Sequence, residues 1–188
     1  MLIEINKKIF ETFPELESER LLFREIKLSD AKDLFLIRSN DEVMKFMDTK
    51  NIESVEETEI LIKSIDESFK NNIGISWDIF EKKSNSLIGY FGYWRIIPEH
   101  CRAEIGYALT PKYWGKGFMT ETLKTLIKFG FDKINFHSIE ANVNPDNISS
   151  IKLLEKIGFK KEDYFRENYL FNGKFLDSII YSLLEKDF

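Results

Sequence analysis

The stretch Ala103-Glu104-Ile105-Gly106-Tyr107-Ala108-Leu109-Thr110-Pro111-Lys112-Tyr113-Trp114-Gly115-Lys116-Gly117-Phe118-Met119 constrains this chain more than any other. Its first half alternates, with Ile105, Tyr107 and Leu109 on one side and Glu104, Gly106 and Ala108 on the other, the pattern of a half-buried strand. Thr110 and Pro111 end it, Gly115 and Gly117 bracket Lys116, and beyond Met119 the apolar positions shift to helical spacing at Leu123, Leu126, Ile127 and Phe131. Strand, glycine turn and helix follow without a gap. Free N–H groups and partial positive charge at a helix N-terminus attract anions, and glycines just before it let a phosphate approach the backbone. Lys116 adds a cation. By itself a Gly-x-Gly is as often a plain connection, and this one has neither the third glycine of a dinucleotide-binding turn nor the Lys-Ser/Thr pair of a P-loop.

The 188 residues suffice for one domain with a substantial core, expected over 21–188, behind an N-terminal extension over 1–20. That extension contains Pro14 and can pack either on the domain or on a second subunit. No apolar run reaches the roughly 20 residues of a membrane span, and charges through Met1 to Phe13 break up any signal-peptide core, so a cytoplasmic protein is expected. A lone cysteine, Cys101, precludes an internal disulfide, and His100 and His137 make no zinc-ligand cluster, so no metal is expected. A formal charge of −5 argues against a nucleic-acid partner and tolerates an amine.

Along the chain, Leu21 to Ile26 reads as the first strand, with Ser29 as N-cap of a helix ending near Asn40. Val43, Met44, Phe46 and Met47 read either as a cleft-lining turn or as a patch over the core. Ser54-Val55-Glu56-Glu57 is a capping box opening a helix through Phe69, which Asn71, Asn72 and Gly74 stop. Ile75 to Phe80, Leu87 to Ile97 and Cys101 to Leu109 continue an antiparallel meander. After the third long helix, Ser138 to Asn144 alternates Ile139, Ala141 and Val143 against Glu140, Asn142 and Asn144, and strand-helix-strand order makes it parallel to the strand ending at Leu109. A fourth helix follows Asn147 and closes at Gly158, and Asn172-Gly173 marks a final hairpin.

Ala-Glu-Ile-Gly-Tyr followed by Pro-x-x-Trp-Gly-Lys-Gly-Phe resembles the coenzyme A pyrophosphate motif of the GNAT N-acetyltransferases, in their RimJ/RimL-like branch. A second block about 30 residues on, Asn147-Ile148-Ser149-Ser150 through Glu155-Lys156-Ile157-Gly158-Phe159, resembles that family's Asn-x-x-Ser and Glu-Lys-x-Gly-Phe signature. The likeness runs from about Leu21 to about Glu185. It implies an α/β (α+β) fold: a mixed, mostly antiparallel sheet of six to seven strands, about four helices on its two faces, and a central parallel pair that splays apart. Acetyl-coenzyme A would lie in the splay, with its pantetheine arm flanked by Ala108 and Leu109. Its diphosphate would sit on the N–H groups of Trp114, Gly115, Lys116, Gly117, Phe118 and Met119, with Thr120 adding a hydroxyl. Asn147 is the matching side chain for the pantetheine, alongside its ordinary role as an N-cap, and Ser150 is a further contact. Lys112 stands where many members carry Gln or Arg, keeping the charge without the planar geometry.

The resemblance implies transfer of an acetyl group to a primary amine, a protein N-terminal α-amine or a small amine, by direct attack in a ternary complex of a monomer or homodimer. The alternative is a non-catalytic coenzyme-binding module. Such attack needs a neutral amine, hence a base. Glu104 is the catalytic candidate, against a solvated strand carboxylate paired with Arg102, with Glu140 and Asn142 in reserve. Leu154 occupies the place of the tyrosine that serves many members as acid, which leaves Tyr107, Ser150 or solvent for that role. Cys101 and His100, adjacent on a strand, point to opposite faces and make no nucleophilic pair. Trp77, Tyr93 and Trp94 are candidates for an acceptor pocket, against the core role usual for strand aromatics.

Overall fold

A computed structural model describes residues 4–47 and 49–188. One eight-stranded sheet organises the chain, in the order β1-β2-β3-β4-β5-β6-β8-β7. Its strands are β1 Leu16–Glu17, β2 Leu21–Glu25, β3 Ile75–Glu81, β4 Ser86–Ile97, β5 Arg102–Leu109, β6 Ser138–Val143, β7 Lys160–Phe171 and β8 Lys174–Leu184. Neighbours are antiparallel except β5 and β6. The helices are α1 Ala31–Arg38, the single turn α2 Asp41–Met44, α3 Val55–Lys70, α4 Phe118–Phe129 and α5 Ile148–Ile157. No helix among the described residues is long and apolar enough to cross a membrane.

The expectation of six to seven strands is exceeded by β1, whose two residues pair with Phe23 and Leu22. Residues 4–20 accordingly lie on the domain. Ile5 and Phe10 are buried, Phe10 and Phe13 stack on Phe69, and the Trp77 indole donates to the Pro14 carbonyl at 2.7 Å. A second correction falls on Ser29. Leu28–Asp30 form a 3-10 turn instead, in which the Asp30 carboxylate accepts the Lys27 N–H and a bidentate pair of bonds from Arg24. A charged bidentate partner outcompetes a lone serine hydroxyl for that corner. The Ser54 cap does form, its hydroxyl accepting the Glu57 N–H at 3.1 Å.

Two apolar layers cover the sheet. Alternation puts Trp77, Phe91, Tyr93, Ile105 and Leu109 on the face that α4 and α5 bury, and Tyr90, Leu87, Phe80 and Ala108 on the face under α1 and α3. Trp77 and Tyr93 are fully buried and pack edge to face, so both are core residues and leave the list of pocket candidates. Trp94, more than half exposed, remains on it. Val43 and Met44 are buried, as the core reading of that segment has it. The Tyr93 hydroxyl donates to the Leu126 carbonyl at 2.8 Å, joining β4 to α4 across the interior. Tyr93→Phe should cost about 1 kcal/mol in a urea titration, since it removes one buried hydrogen bond and little volume.

Candidate active site

β5 and β6 are paired only over Arg102↔Ser138, Ala103↔Ile139 and Glu104↔Glu140. Beyond that point each keeps its outer partner. β5 stays on β4 as far as Gly89↔Leu109, and β6 stays on β8 as far as Val143↔Ile179. A wedge therefore opens between Ile105–Leu109 and Ala141–Val143, with unpaired backbone along its edges. The first turn of α5 stands at this wedge: the Tyr107 and Ser150 hydroxyls lie 2.7 Å apart, and Asn147 caps the helix by accepting the Ser150 N–H at 3.1 Å. Burial pushes the Tyr107 phenol up to about 12, against the pull of its bond to Ser150. Leu154 is fully buried.

The glycine turn lies at the open end of β5. Gly115 and Gly117 adopt φ of +70° and +80°, a region that favours glycine, and Gly117 is the N-cap of α4. Trp114 turns its own N–H back to the Pro111 carbonyl, so that expected donor is spent, and its indole N–H caps the Leu109 carbonyl at 2.7 Å. The N–H groups of Gly115, Lys116, Gly117, Phe118, Met119 and Thr120 have no hydrogen-bond partner among the described residues. A succession of free amides around left-handed glycines at a helix N-terminus is an anion nest, and a diphosphate fits its chemistry. Phe118 and Met119 bury their side chains and offer only backbone. The Lys116 ammonium folds onto the Lys112 carbonyl at 2.7 Å, closing the turn.

Glu104 sits at the closed end of the wedge on the face opposite Tyr107. Burial of its carboxyl, the largest influence, raises it to about 7; Arg95 and Arg102 oppose the rise and Glu140 adds to it. The Arg95 guanidinium is 3.9 Å away and largely exposed, whereas Arg102 bonds Glu140 at 2.9 Å and leaves Glu104 free of a close partner. The paired-carboxylate reading with Arg102 therefore belongs to Glu140. Asn142 is exposed further along the same face of β6. Trp94 lies over Gly106, its Cδ1 3.5 Å from where a Cβ would stand. At the open end a cleft of about 530 Å³ separates the α2–α3 loop from the β7–β8 turn, with Asp41, Met44, Lys45, Glu53, Phe171 and Asn172 among its walls.

Motif reading missed two residues, Arg95 and Arg20, and the role of the Trp114 indole. Arg95 meets Glu104 only because a bulge after Tyr93 shifts the β4–β5 register. The Trp114 indole folds back five residues onto the Leu109 carbonyl. Arg20 bonds the Lys116 carbonyl and Glu121 from a segment almost a hundred residues away. Neither arginine's contact leaves a local signal, since one depends on strand register and the other on a distant segment.

An open mixed sheet with one interrupted parallel pair, a nest of free amides at the exit and a carboxyl of raised pKa at the closed end defines an acyl-transfer fold. Residues 20–160 match the family model described as "Acetyltransferase (GNAT) domain". The chain is 36% identical over 173 residues to the uncharacterized N-acetyltransferase YoaA of Bacillus subtilis, covering 92% of this chain and 98% of that protein. It is 25% identical over 161 residues to the spermidine N(1)-acetyltransferase of Vibrio cholerae, covering 85% of this chain and 90% of that protein. A solved structure, the ribosomal-protein-S5-alanine acetyltransferase from Vibrio fischeri, superposes with a TM-score of 0.82 at 27% identity, covering 93% of this chain and 98% of that one. The chain belongs to the GNAT acetyltransferase family, in its RimJ/RimL-like branch, and is an N-acetyltransferase. The non-catalytic module is thereby set aside.

Because the Glu104 carboxyl is raised in the folded state, the native protein holds a proton that the unfolded chain releases at about 4.5. Stability should fall as pH rises from about 4.5 to about 7 and then level off. Denaturation midpoints of wild type and Glu104→Gln across that range check this: the variant should gain on wild type up to about pH 7, with a constant difference above it.

Proposed function

We propose that this N-acetyltransferase moves the acetyl group of acetyl-coenzyme A to the α-amine of a protein or peptide N-terminus, with Glu104 as base. The observation that carries the reading is a largely buried carboxyl pushed up to about 7 at the closed end of the split between β5 and β6, where their pairing stops. In this reading the nest from Gly115 to Thr120 receives the diphosphate. The unpaired β5 edge and the Asn147 amide flank the pantetheine. The thioester supplies an activated carbonyl. Glu104 takes a proton from the α-ammonium, the neutral amine nitrogen bonds to that carbonyl carbon, and as the carbon–sulfur bond breaks the nitrogen's second proton passes to the departing thiolate, leaving the amide and a thiol. The Tyr107–Ser150 pair, joining β5 to α5 beside the gap, supplies the hydrogen bond that steadies the sulfur. Its raised phenol suits donation of a hydrogen bond more than loss of a proton.

Acceptor choice follows from proton affinity. An α-ammonium loses its proton near 8, about one unit above Glu104, whereas an alkylammonium such as a lysine or polyamine holds it near 10.4, more than three units above. The cleft beside α2 sets Asp41 and Glu53 against Lys45 and Lys50, a balance that suits a peptide better than a polycation. The relative named for ribosomal-protein alanine acetylation supports this choice, and the spermidine enzyme keeps small amines in the test. Monomeric or dimeric action in the cytosol completes the proposal.

The test is an acceptor panel followed by thiol release: N-terminal peptides with varied first residues, spermidine and Nα-blocked lysine. Peptides should turn over at least tenfold faster than either alkylamine at pH 7.5; faster turnover of spermidine would overturn the choice. For the preferred acceptor, kcat/KM should rise with pH and bend near 7. Glu104→Gln should lose about 10²-fold or more and that bend, with acetyl-coenzyme A affinity little changed.

A further inference from the structure

The anion nest is held open from outside its own motif. Arg20, at the end of the link between β1 and β2, spreads its guanidinium over the turn: Nε donates to the Glu121 carboxylate at 2.6 Å, Nη1 donates to the Lys116 carbonyl at 3.0 Å, and the plane lies 4.2 Å from the Phe118 ring centroid. Nη2 has no hydrogen-bond partner among the described residues and is 3.6 Å from where a Cβ on Gly117 would stand. Glu121 is fastened to the same segment twice more, accepting the Ser18 hydroxyl at 2.7 Å and the Arg20 N–H at 2.8 Å.

Two consequences follow from elementary geometry and charge. In a trans peptide the C=O and the next N–H point in opposite directions, so a guanidinium that draws the Lys116 carbonyl to one side aims the Gly117 N–H to the other. The same guanidinium cancels Glu121. Burial would raise that carboxyl, but the bonds from Arg20 and Ser18 outweigh it and keep the group ionised at neutral pH. An uncompensated carboxylate in the first turn of α4 would repel an anion at the nest.

We infer that Arg20 is a positioning residue for the coenzyme diphosphate, which its planar fork serves by orienting the Lys116–Gly117 peptide and neutralising Glu121 beside the nest. The inference rests on the reading of the nest as the diphosphate site. It makes the segment before β2 part of the coenzyme site.

Calorimetric titration of wild type, Arg20→Ala and Arg20→Lys with acetyl-coenzyme A and with S-acetylpantetheine, which lacks the diphosphate, separates the possibilities. R20A should bind acetyl-coenzyme A about tenfold more weakly and S-acetylpantetheine within twofold of wild type. R20K keeps the charge without the fork and should recover part of the loss, remaining about threefold weaker than wild type. Equal losses for both ligands, or acetyl-coenzyme A affinity unchanged in R20A or R20K, would overturn the inference. Should R20A fail to fold, as read by circular dichroism, R20K decides alone by the same comparison. Failure of wild type to bind acetyl-coenzyme A at tens of micromolar would instead refute the nest as its site.

Discussion

The molecule turns on where one set of backbone hydrogen bonds stops. β5 and β6 share a ladder for three residue pairs and then part, while each goes on bonding to its outer neighbour. Unpaired backbone inside a protein is costly, so a split of this kind persists only where something else meets the exposed groups. Here the Trp114 indole takes the last β5 carbonyl, while the Tyr107 and Ser150 hydroxyls bond each other between β5 and α5. The remaining edge of β5 from Ile105 onward is available to an extended ligand, much as an additional strand would be.

The split also separates two electrostatically different environments. On the α4 and α5 side the free amides of the glycine turn favour negative charge. On the opposite face, Glu104 is buried enough to hold its proton until about pH 7, since Arg102 is committed to Glu140 and Arg95 stands at the edge of ion-pair range. Moving Arg102 to Glu104 would lower that carboxyl toward the ordinary range. The choice of partner by Arg102 on adjacent strands thus governs whether a carboxyl at this place stays raised toward neutrality.

Much of this was legible beforehand because the signals are local. Alternation in β5 and β6, left-handed turns at Gly115, Gly117 and Gly158, and caps at Ser54 and Asn147 each depend on residues within a few positions. Ser29 misled because Arg24, on another element, gives Asp30 the stronger claim to that corner. Trp77 and Tyr93 were candidates for a pocket against the core role usual for strand aromatics, and their full burial decides for the core. Leu16–Glu17 was invisible as a strand because two residues carry no periodicity and pair only when β2 lies alongside.

The order of elements, the glycine turn before a helix and the half-polar parallel strand were determined by the amino-acid sequence itself, since dihedral preference and hydrophobic period act over short spans. Tertiary structure alone decided that the pairing ends at Glu104, that Arg102 goes to Glu140, and that Arg20 braces the turn. These outcomes depend on strand register and on contacts between distant segments, and a register is a relation between elements that no single stretch of chain contains.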